Sequence, residues 1–320
     1  MKLQWPILKP SAKGWSAVDV GPDGLLVGVS VRPGARAGDR PQVVKCAQVT
    51  GAALEEAALA GLARKISVAG FPWTVPLPRN DYRILVVAEP PVLAAEMDRS
   101  LRWTLGPMIN IPIDEANVVW MNIPTAEFQP NRPRHLYAIV AQQSVIKQQA
   151  ALFAQAKLAL RAIDVRETAQ RNIAALLEKK GEGLGLLSMD PQGVTLTFTF
   201  GGELYLDRFI ELSLAELLAA DAPGQQKFFE RITLQVSRSV DFINRNSSFM
   251  PVERIMLAPL PAQIGLHDYL SQNLSLRVEA LDLASVFDLS RTPELALPEN
   301  QSRYLMALGA ALRGVRQTTL

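Results

Sequence analysis

The stretch LGLLSMDPQGVTLTFTFGGELYLDRFIEL, residues 184–212, contains three runs of strand-forming residues separated by two tight turns. The runs cover 184–189, 193–200 and 203–212, and their β-branched and aromatic residues partly alternate with polar ones. The first connection is a DPQG turn, and the second is the glycine pair 201–202, a strong signal for a β-hairpin. This stretch therefore predicts a three-stranded antiparallel meander.

The first half of the chain has the same order of elements. Strand-like runs at 15–21, 25–31 and 42–49 are separated by turns rich in glycine and proline. In both halves, helices and further strands follow the three-strand run. In the first half we predict helices at 53–66, 92–105, 145–160 and 166–180, strands at 82–88, 117–123 and 135–141, and an extended segment at 161–165. In the second half we predict helices at 225–246, 265–274 and 299–316, and strands at 254–260 and 276–283.

The order β-β-β-α-β-α thus occurs twice, although no sequence identity links the two copies. A duplicated meander followed by helix–strand units is the pattern of the actin-like fold, which consists of two ribonuclease-H-like lobes. We therefore predict an α/β protein of the actin-like class, with lobe I over 1–182 and lobe II over 183–320. The extra material at about 80–145 predicts a small subdomain inserted in lobe I. The C-terminal helix 299–316 is expected to return to lobe I.

The composition excludes several classes of function. The formal net charge of +2 is small for 320 residues, so the chain as a whole is not expected to bind nucleic acid or anionic lipid by its charge. No run approaches the ~18 apolar residues of a membrane span, and the N-terminus lacks a signal-peptide pattern. The single cysteine, Cys46, excludes an intramolecular disulfide and favours a reducing compartment. We predict a cytoplasmic protein without direct membrane insertion.

The sequence contains no recognisable catalytic or metal site. Its two histidines, His135 and His267, lie far apart, and neither belongs to an HExxH pattern or is near Cys46. No GxSxG elbow, no GxxxxGK[ST] loop and no GxGxxG after a strand is present. We therefore predict neither catalytic nor metal-binding residues.

Two groups of basic residues are candidates for binding an anionic partner. The segment NRPRH, residues 131–135, concentrates positive charge in a predicted loop. The second group recurs every seven residues on one face of the predicted helix 225–246: Arg231, Arg238 and Arg245. For both groups we favour the alternative of a solvated surface, with local pairing of the helix arginines to Glu230 and Asp241.

The first hairpin turn is a candidate phosphate site. In actin-like ATPases the first hairpin of each lobe has an acid-and-glycine turn, whose acid helps to hold a hydrated metal while glycines let backbone N–H groups approach phosphate. Here Asp19 and Gly21 are present. However, Pro22 removes an N–H donor, and Asp23 adds a negative charge that would repel a phosphate.

The two other expected turns depart from the pattern in the same way. In the second, SMDPQG, Asp190 is followed by Pro191. In the third, after the strand at 255–258, the sequence PLPAQIG has prolines at Pro259 and Pro261 and a late glycine at Gly265. Pro, Asp and Gly are also standard residues of ordinary turns. We predict that Asp19, Gly21 and Asp190 are the remnant of a nucleotide site, at which binding of ATP with magnesium is doubtful.

Four stretches carry a resemblance to a known family. The sequence resembles the PilM-type actin-like proteins of type IV pilus and type II secretion assembly, and among them the MshI branch from mannose-sensitive haemagglutinin (MSHA) pilus biogenesis. The resemblance covers most of the chain, is clearest from about Tyr137 onward, and depends on the order and spacing of moderately specific motifs. The stretches are RAIDVRETAQRNIAALL (161–177), GELYLDRFIELS (202–213), ERITLQVSRSVDFINRN (230–246) and PENQSRYLMALGAALRG (298–314).

The resemblance implies a cytoplasmic protein that docks a short segment of a PilN-like inner-membrane protein and is peripheral to that membrane through its partners. PilM-type members bind ATP through the three turns, and the four prolines put this property in doubt here. The expected function is therefore a non-catalytic scaffold of an MSHA-type pilus assembly platform. The alternatives are an actin-like ATPase whose nucleotide state controls partner binding, and a sugar-kinase-like enzyme with Asp19 or Asp190 as base.

Overall fold

The computed structural model describes residues 13–21, 24–36, 38–50, 54–124, 133–247, 249–260 and 262–313. The strands are β1 (Trp15–Val20), β2 (Leu26–Arg32), β3 (Gln42–Val49), β4 (Trp73–Pro76), β5 (Tyr82–Ala88), β6 (Ala116–Ile123), β7 (His135–Gln142), β8 (Leu160–Asp164), β9 (Gly183–Asp190), β10 (Gly193–Phe200), β11 (Glu203–Glu211), β12 (Val252–Leu257) and β13 (Arg277–Ala280). The α-helices are α1 (Glu56–Ile66), α2 (Met97–Leu105), α3 (Gln143–Gln155), α4 (Arg166–Leu177), α5 (Leu214–Ala219), α6 (Ala222–Asn246), α7 (Leu266–Asn273), α8 (Leu283–Val286) and α9 (Pro298–Ala311).

Two five-stranded sheets have the same topology. Sheet I has the order β3-β2-β1-β4-β8 and sheet II the order β11-β10-β9-β12-β13. In each sheet the first three strands are antiparallel neighbours, and the last two are parallel to the central strand. The duplication expected from the order of elements is therefore present in the strand pairing. A third sheet, sheet III with order β5-β7-β6, lies in the chain between β4 and β8.

Several elements differ from the sequence prediction for local reasons. Strand β4 has only four residues and ends in proline, so it shows no alternation that would reveal a strand. Helix α2 starts at Met97, several residues after the Pro90-Pro91 pair, instead of at residue 92. Helix α6 starts earlier than expected, because the Asp221 side chain accepts the N–H of Gly224 and caps its first turn. The predicted helix 299–316 is observed as Pro298–Ala311, and residues 314–316 lie outside the described part of the chain.

Two helices join the two five-stranded sheets. Helix α4 packs against sheet II, where the Gln170 side chain donates to the carbonyl of Leu186 at 2.6 Å and to the Thr197 hydroxyl at 3.0 Å. Helix α9 packs against α4 and against sheet I. One apolar cluster therefore contains buried residues of both sheets and both helices, among them Ala17, Val29, Ala169, Ile173, Leu186, Met256, Leu305 and Leu308.

The crossing of α4 and α9 requires a glycine. The Asn172 amide donates to the carbonyl of Gly309 at 3.0 Å, and a Cβ added at Gly309 would overlap the carbonyl group of Ala169. Only a residue without a side chain lets the two helices approach this closely. The contact between the two sheets through α4 and α9 therefore depends on Gly309.

We expect Gly309→Ala to destabilise the protein by about 1–3 kcal/mol, because the new methyl group forces the two helices apart. Gly61→Ala in α1 is the matched control, since a Cβ at Gly61 meets only the end of the Arg64 side chain at 3.8 Å. That exchange should leave stability unchanged or raise it by up to about 1 kcal/mol. Urea unfolding followed by circular dichroism measures both, and equal stabilities of the two variants would contradict the close crossing.

Candidate functional site

A cleft of about 470 Å³ lies between the first hairpins of sheets I and II. Its lining includes Asp19 near the end of β1, Asp190 at the end of β9 and Arg166, the first residue of α4. The two aspartates occupy corresponding places in the two sheets because the sheets share one topology. The duplication therefore brings the two turn acids predicted from the sequence to the same cavity.

The Arg166 guanidinium lies between these two carboxylates. Its Nη1 is 3.1 Å from Oδ1 and 3.3 Å from Oδ2 of Asp19, and both contacts are hydrogen bonds. Its Nε is 3.2 Å from Oδ2 of Asp190, a contact with the distance of an ion pair but without hydrogen-bond alignment. All three residues are buried, with exposed fractions of 7–8%. One cation thus connects the first hairpin of sheet I to that of sheet II.

Burial and charge act against each other in this triad. Burial alone would lower the pKa of Arg166. The carboxylates of Asp19 and Asp190 outweigh this effect, so the pKa of Arg166 is raised above its ordinary value. Burial also raises the pKa of Asp19 above its ordinary value, and Arg166 opposes this shift. Because arginine stays protonated in proteins, the guanidinium is a permanent positive charge beside the two carboxyl groups.

Four backbone N–H groups in the described parts of the two hairpin turns already have partners. In the first turn the N–H of Gly21 donates to Leu25 at 2.8 Å and the N–H of Gly24 donates to Gly21 at 2.9 Å. In the second turn the N–H groups of Gln192 and Gly193 donate to Oδ1 of Asp190 at 2.9 and 3.1 Å. These turns hold their own hairpins together, and their described N–H groups do not point to a free anion site.

The third turn has a structural role in its described part. Gly265, with φ of +71°, is the N-cap of α7 and its carbonyl accepts the N–H of Tyr269 at 3.1 Å. Pro259 directly precedes this connection, whereas Pro22, Asp23 and Pro261 lie outside the described residues. Within the described part of the chain, no group of three or more His, Cys, Asp or Glu side chains could hold a metal ion. The described residues of the cleft do not fit ATP with magnesium, because their acids and N–H groups have other partners.

Of the predicted site residues, Asp19, Gly21 and Asp190 all line this cleft. Whether they bind a nucleotide stays a prediction. Arg166 was not among the candidates, although the sequence contains one signal for it. A basic residue at the first position of a helix is disfavoured by the helix dipole, so its presence there indicates nearby acids.

A second polar group adjoins the triad, and we call it the junction cluster: Arg79, Tyr82, Glu167 and Asp207. Glu167, the second residue of α4, accepts from the Arg79 guanidinium and from the Tyr82 hydroxyl, the latter at 2.6 Å. The Tyr82 hydroxyl also accepts the backbone N–H of Arg166 at 3.3 Å. The Arg79 guanidinium stacks over the Phe209 ring of β11 at 4.6 Å. The cluster therefore joins sheet III, α4 and sheet II beside the cleft.

Asp207 is the carboxyl of this cluster whose pKa is raised. Burial, and next the charge of Glu167, raise the pKa of the Asp207 carboxyl from 3.8 to about 6, although Arg79 opposes the shift. A carboxyl with this pKa is mostly ionised at neutral pH in an environment that favours its neutral form.

Among the helices in the described part of the chain, none combines the length and the apolar composition of a membrane span. Comparison of the sequence with protein-family models finds no match, and comparison with curated proteins finds none either.

Solved structures do resemble the chain. The PilM–PilN type IV pilus biogenesis complex includes a chain with 17% identity and a TM-score of 0.72, and the match covers 96% of this chain and 100% of that one. The cytoplasmic domain of EpsL, an inner-membrane component of the type II secretion system of Vibrio cholerae, matches at 12% identity over 84% of this chain and 90% of that one, with a TM-score of 0.47. A protein of actin-like ATPase fold from Bacteroides thetaiotaomicron matches at 10% identity over 90% and 97%, with a TM-score of 0.48.

The predicted α/β actin-like fold is confirmed. At 17% identity the likeness to the chain of the PilM–PilN complex establishes the fold, and the function has to be argued from the site.

We expect Arg166→Gln to destabilise the protein by about 3–5 kcal/mol at pH 7, because it leaves two buried carboxylates without a counter-ion. Urea unfolding measures the loss. Adding Asp19→Asn and Asp190→Asn to Arg166→Gln should restore part of it, since the uncompensated charges are then gone.

Arg277→Gln is the control for this experiment. Arg277 pairs with Glu253 at 3.5 Å, and both side chains are more than half exposed, so its loss should cost less than about 1 kcal/mol. If Arg166→Gln and Arg277→Gln were equally stable, the bridge between the two hairpins would have no structural role.

Asp207 predicts a pH-dependent stability difference. Because its folded-state pKa is raised, the carboxyl contributes most stability below about pH 4 and loses it as the pH rises to about 6. Asp207→Asn cannot ionise, so its advantage over the wild type should grow across this window to about 1–3 kcal/mol above pH 6.5. Urea unfolding of both proteins from pH 4 to pH 8 gives the difference. The exposed Asp268→Asn is the control, and parallel curves for Asp207→Asn and wild type would refute the assignment.

Proposed function

We propose that the protein is a non-catalytic scaffold of a type IV pilus assembly platform and binds the cytoplasmic segment of a PilN-like inner-membrane protein. The support for this role is the fold, which matches a chain of the PilM–PilN complex along that chain's whole length. In this proposal the protein is cytoplasmic and reaches the inner membrane through its partners. Residues 1–182 and 183–320 would be its two lobes.

The observation that carries the non-catalytic part is the position of Arg166. In an actin-like ATPase a nucleotide and its metal hold the two lobes together by contacts to both first hairpins. Here one guanidinium contacts Asp19 and Asp190, and its charge is permanent. The arginine is an internal substitute for the ligand, so the lobes are held together in the absence of ATP.

The internal bridge has a consequence for partner binding. A ligand can shift a conformational equilibrium only if it binds two states with different affinity. With its cleft bridged by Arg166, the protein would present one arrangement of its lobes to the PilN-like segment. Binding of the partner is therefore expected to be independent of nucleotide.

The particular system that we propose is an MSHA-type pilus, with the protein in the place of MshI. This finer assignment is supported by the order and spacing of the four stretches that resemble the MshI branch, among them 161–177, which contains Arg166, and 230–246.

A working actin-like ATPase is the second candidate. It is favoured by the cleft itself, since about 470 Å³ of space remains beside the guanidinium groups of Arg79 and Arg166. A phosphate would find positive charge there. The two candidates differ in whether ATP binds in that space and whether nucleotide changes the affinity for the PilN-like partner.

Calorimetric titration of the purified protein with ATP and magnesium separates the two candidates. We expect no saturable heat for the wild type. Binding at low micromolar affinity that is lost in Asp19→Ala would overturn the scaffold proposal in favour of the ATPase.

Co-purification with a PilN-like membrane protein tests the partner. We expect the same yield with and without ATP and magnesium. Recovery of the protein without any component of the pilus or secretion platform would overturn the partner assignment.

A further inference from the structure

The outer face of α6 has an unusual composition. It contains basic and apolar residues at successive spacings of four, three, four, four and three, which places them on one side of the helix, within about 80° of its circumference. All six are exposed. We call this surface the α6 basic face: Lys227, Arg231, Leu234, Arg238, Phe242 and Arg245.

The opposite side of α6 anchors the helix to sheet II. Phe229, Ile232, Val236 and Ile243 are buried in the apolar core that covers this sheet. The α6 basic face therefore points outward on a fixed support. From Lys227 to Arg245 it is about 27 Å long, at 1.5 Å per residue.

The four cations of this face have no partner within the described residues. The expected pairing of the three arginines with Glu230 and Asp241 is absent there, since no ion pair or side-chain hydrogen bond joins them. Glu230 instead accepts from Gln226 at 3.0 Å. Glu230 and Asp241 lie at one edge of the face, about 60° and 40° around the helix from Lys227, so four cations stand beside two acids. The face therefore has a local excess of positive charge, although the net charge of the whole chain is only +2.

The two apolar residues make this more than a solvated helix surface. Leu234 and Phe242 are 48% and 46% exposed. At 100° per residue they lie on either side of the row of cations. Exposed Leu and Phe beside Lys and Arg provide both contributions on which binding to a lipid surface depends, namely apolar area and attraction to anionic lipids.

We propose that the α6 basic face binds an anionic lipid surface, as a second contact with the membrane beside the partner protein. Its cations are matched to lipid phosphates, and Leu234 and Phe242 reach the interface without spanning the bilayer. A lipid surface fits better than an acidic partner helix, because the cations occupy the middle of the face. A partner helix needs a continuous apolar seam at that place.

Co-sedimentation of the full chain with vesicles tests this proposal. We expect the protein to sediment with vesicles that contain phosphatidylglycerol and to be released from them by high salt. With vesicles of pure phosphatidylcholine, the protein should stay in the supernatant. Arg231→Gln with Arg238→Gln should weaken binding by roughly 25-fold, or about fivefold for each lost charge. Phe242→Ser should weaken it without changing the charge.

Arg64→Gln with Arg99→Gln is the matched control, because both residues are exposed and the net charge falls by the same amount. This variant should bind like the wild type. Equal loss in both double variants would show that overall charge decides, and binding to pure phosphatidylcholine would show that the charges have no role. Either result overturns the proposal.

A third result would point to a protein partner on this face. If no vesicle binds, and Arg231→Gln with Arg238→Gln loses the PilN-like segment in solution, the face is an acidic-protein site and the lipid proposal is wrong. If instead this variant keeps the segment and loses only the vesicles, the lipid proposal stands. The scaffold proposal can fail independently, since vesicle binding does not require the partner.

Discussion

The structure depends on one electrostatic arrangement, in which a single guanidinium lies between two buried carboxylates from duplicated hairpins. Asp19 and Asp190 come to the same cleft because sheets I and II share one topology, and two like charges there need a counter-ion. Arg166 supplies that charge from the first residue of α4. The cation belongs to the chain, so the arrangement does not depend on the supply of a ligand. This arrangement is the physical basis for the proposal that the protein is a scaffold.

Helix α4 connects the cleft to the other parts of the molecule. Its first two residues, Arg166 and Glu167, hold the cleft and the junction cluster, and Gln170 continues onto the strands of sheet II. Farther along, Asn172 contacts the carbonyl of Gly309 in α9, which rests on sheet I. Successive residues of α4 thus contact different parts of the fold. The cleft is also linked to sheet III, where the Tyr82 hydroxyl accepts the N–H of Arg166.

The fold can be read from the sequence much further than the site can. The meander of sheet II can be predicted because its strands are long and its turns contain Asp190-Pro191 and Gly201-Gly202, whereas β4 is not detected because four residues show no period. Asp19 and Asp190 can be found because turn acids recur at equivalent places. Arg166 cannot be assigned in this way, because its partners are distant in the sequence. Asp19 lies 147 residues before it, and Asp190 follows only at the end of β9, after the whole of α4. Its position at the start of a helix is the one local indication that acids lie nearby. Charge pairing between residues far apart in the sequence produces no periodic pattern by which it could be detected.

In the proposed scaffold, Arg166 holds the two hairpins together and nucleotide does not change their arrangement. The most direct measurement is the distance between two spin labels by double electron–electron resonance, one at Arg64→Cys on α1, which packs on sheet I, and one at Ser271→Cys on α7, which packs on sheet II, in a Cys46→Ser background. We expect one narrow distance distribution that is unchanged by ATP and magnesium and that broadens when Arg166→Gln is added. A distribution that is broad without ligand and narrows to a shorter distance with ATP and magnesium would contradict the scaffold proposal.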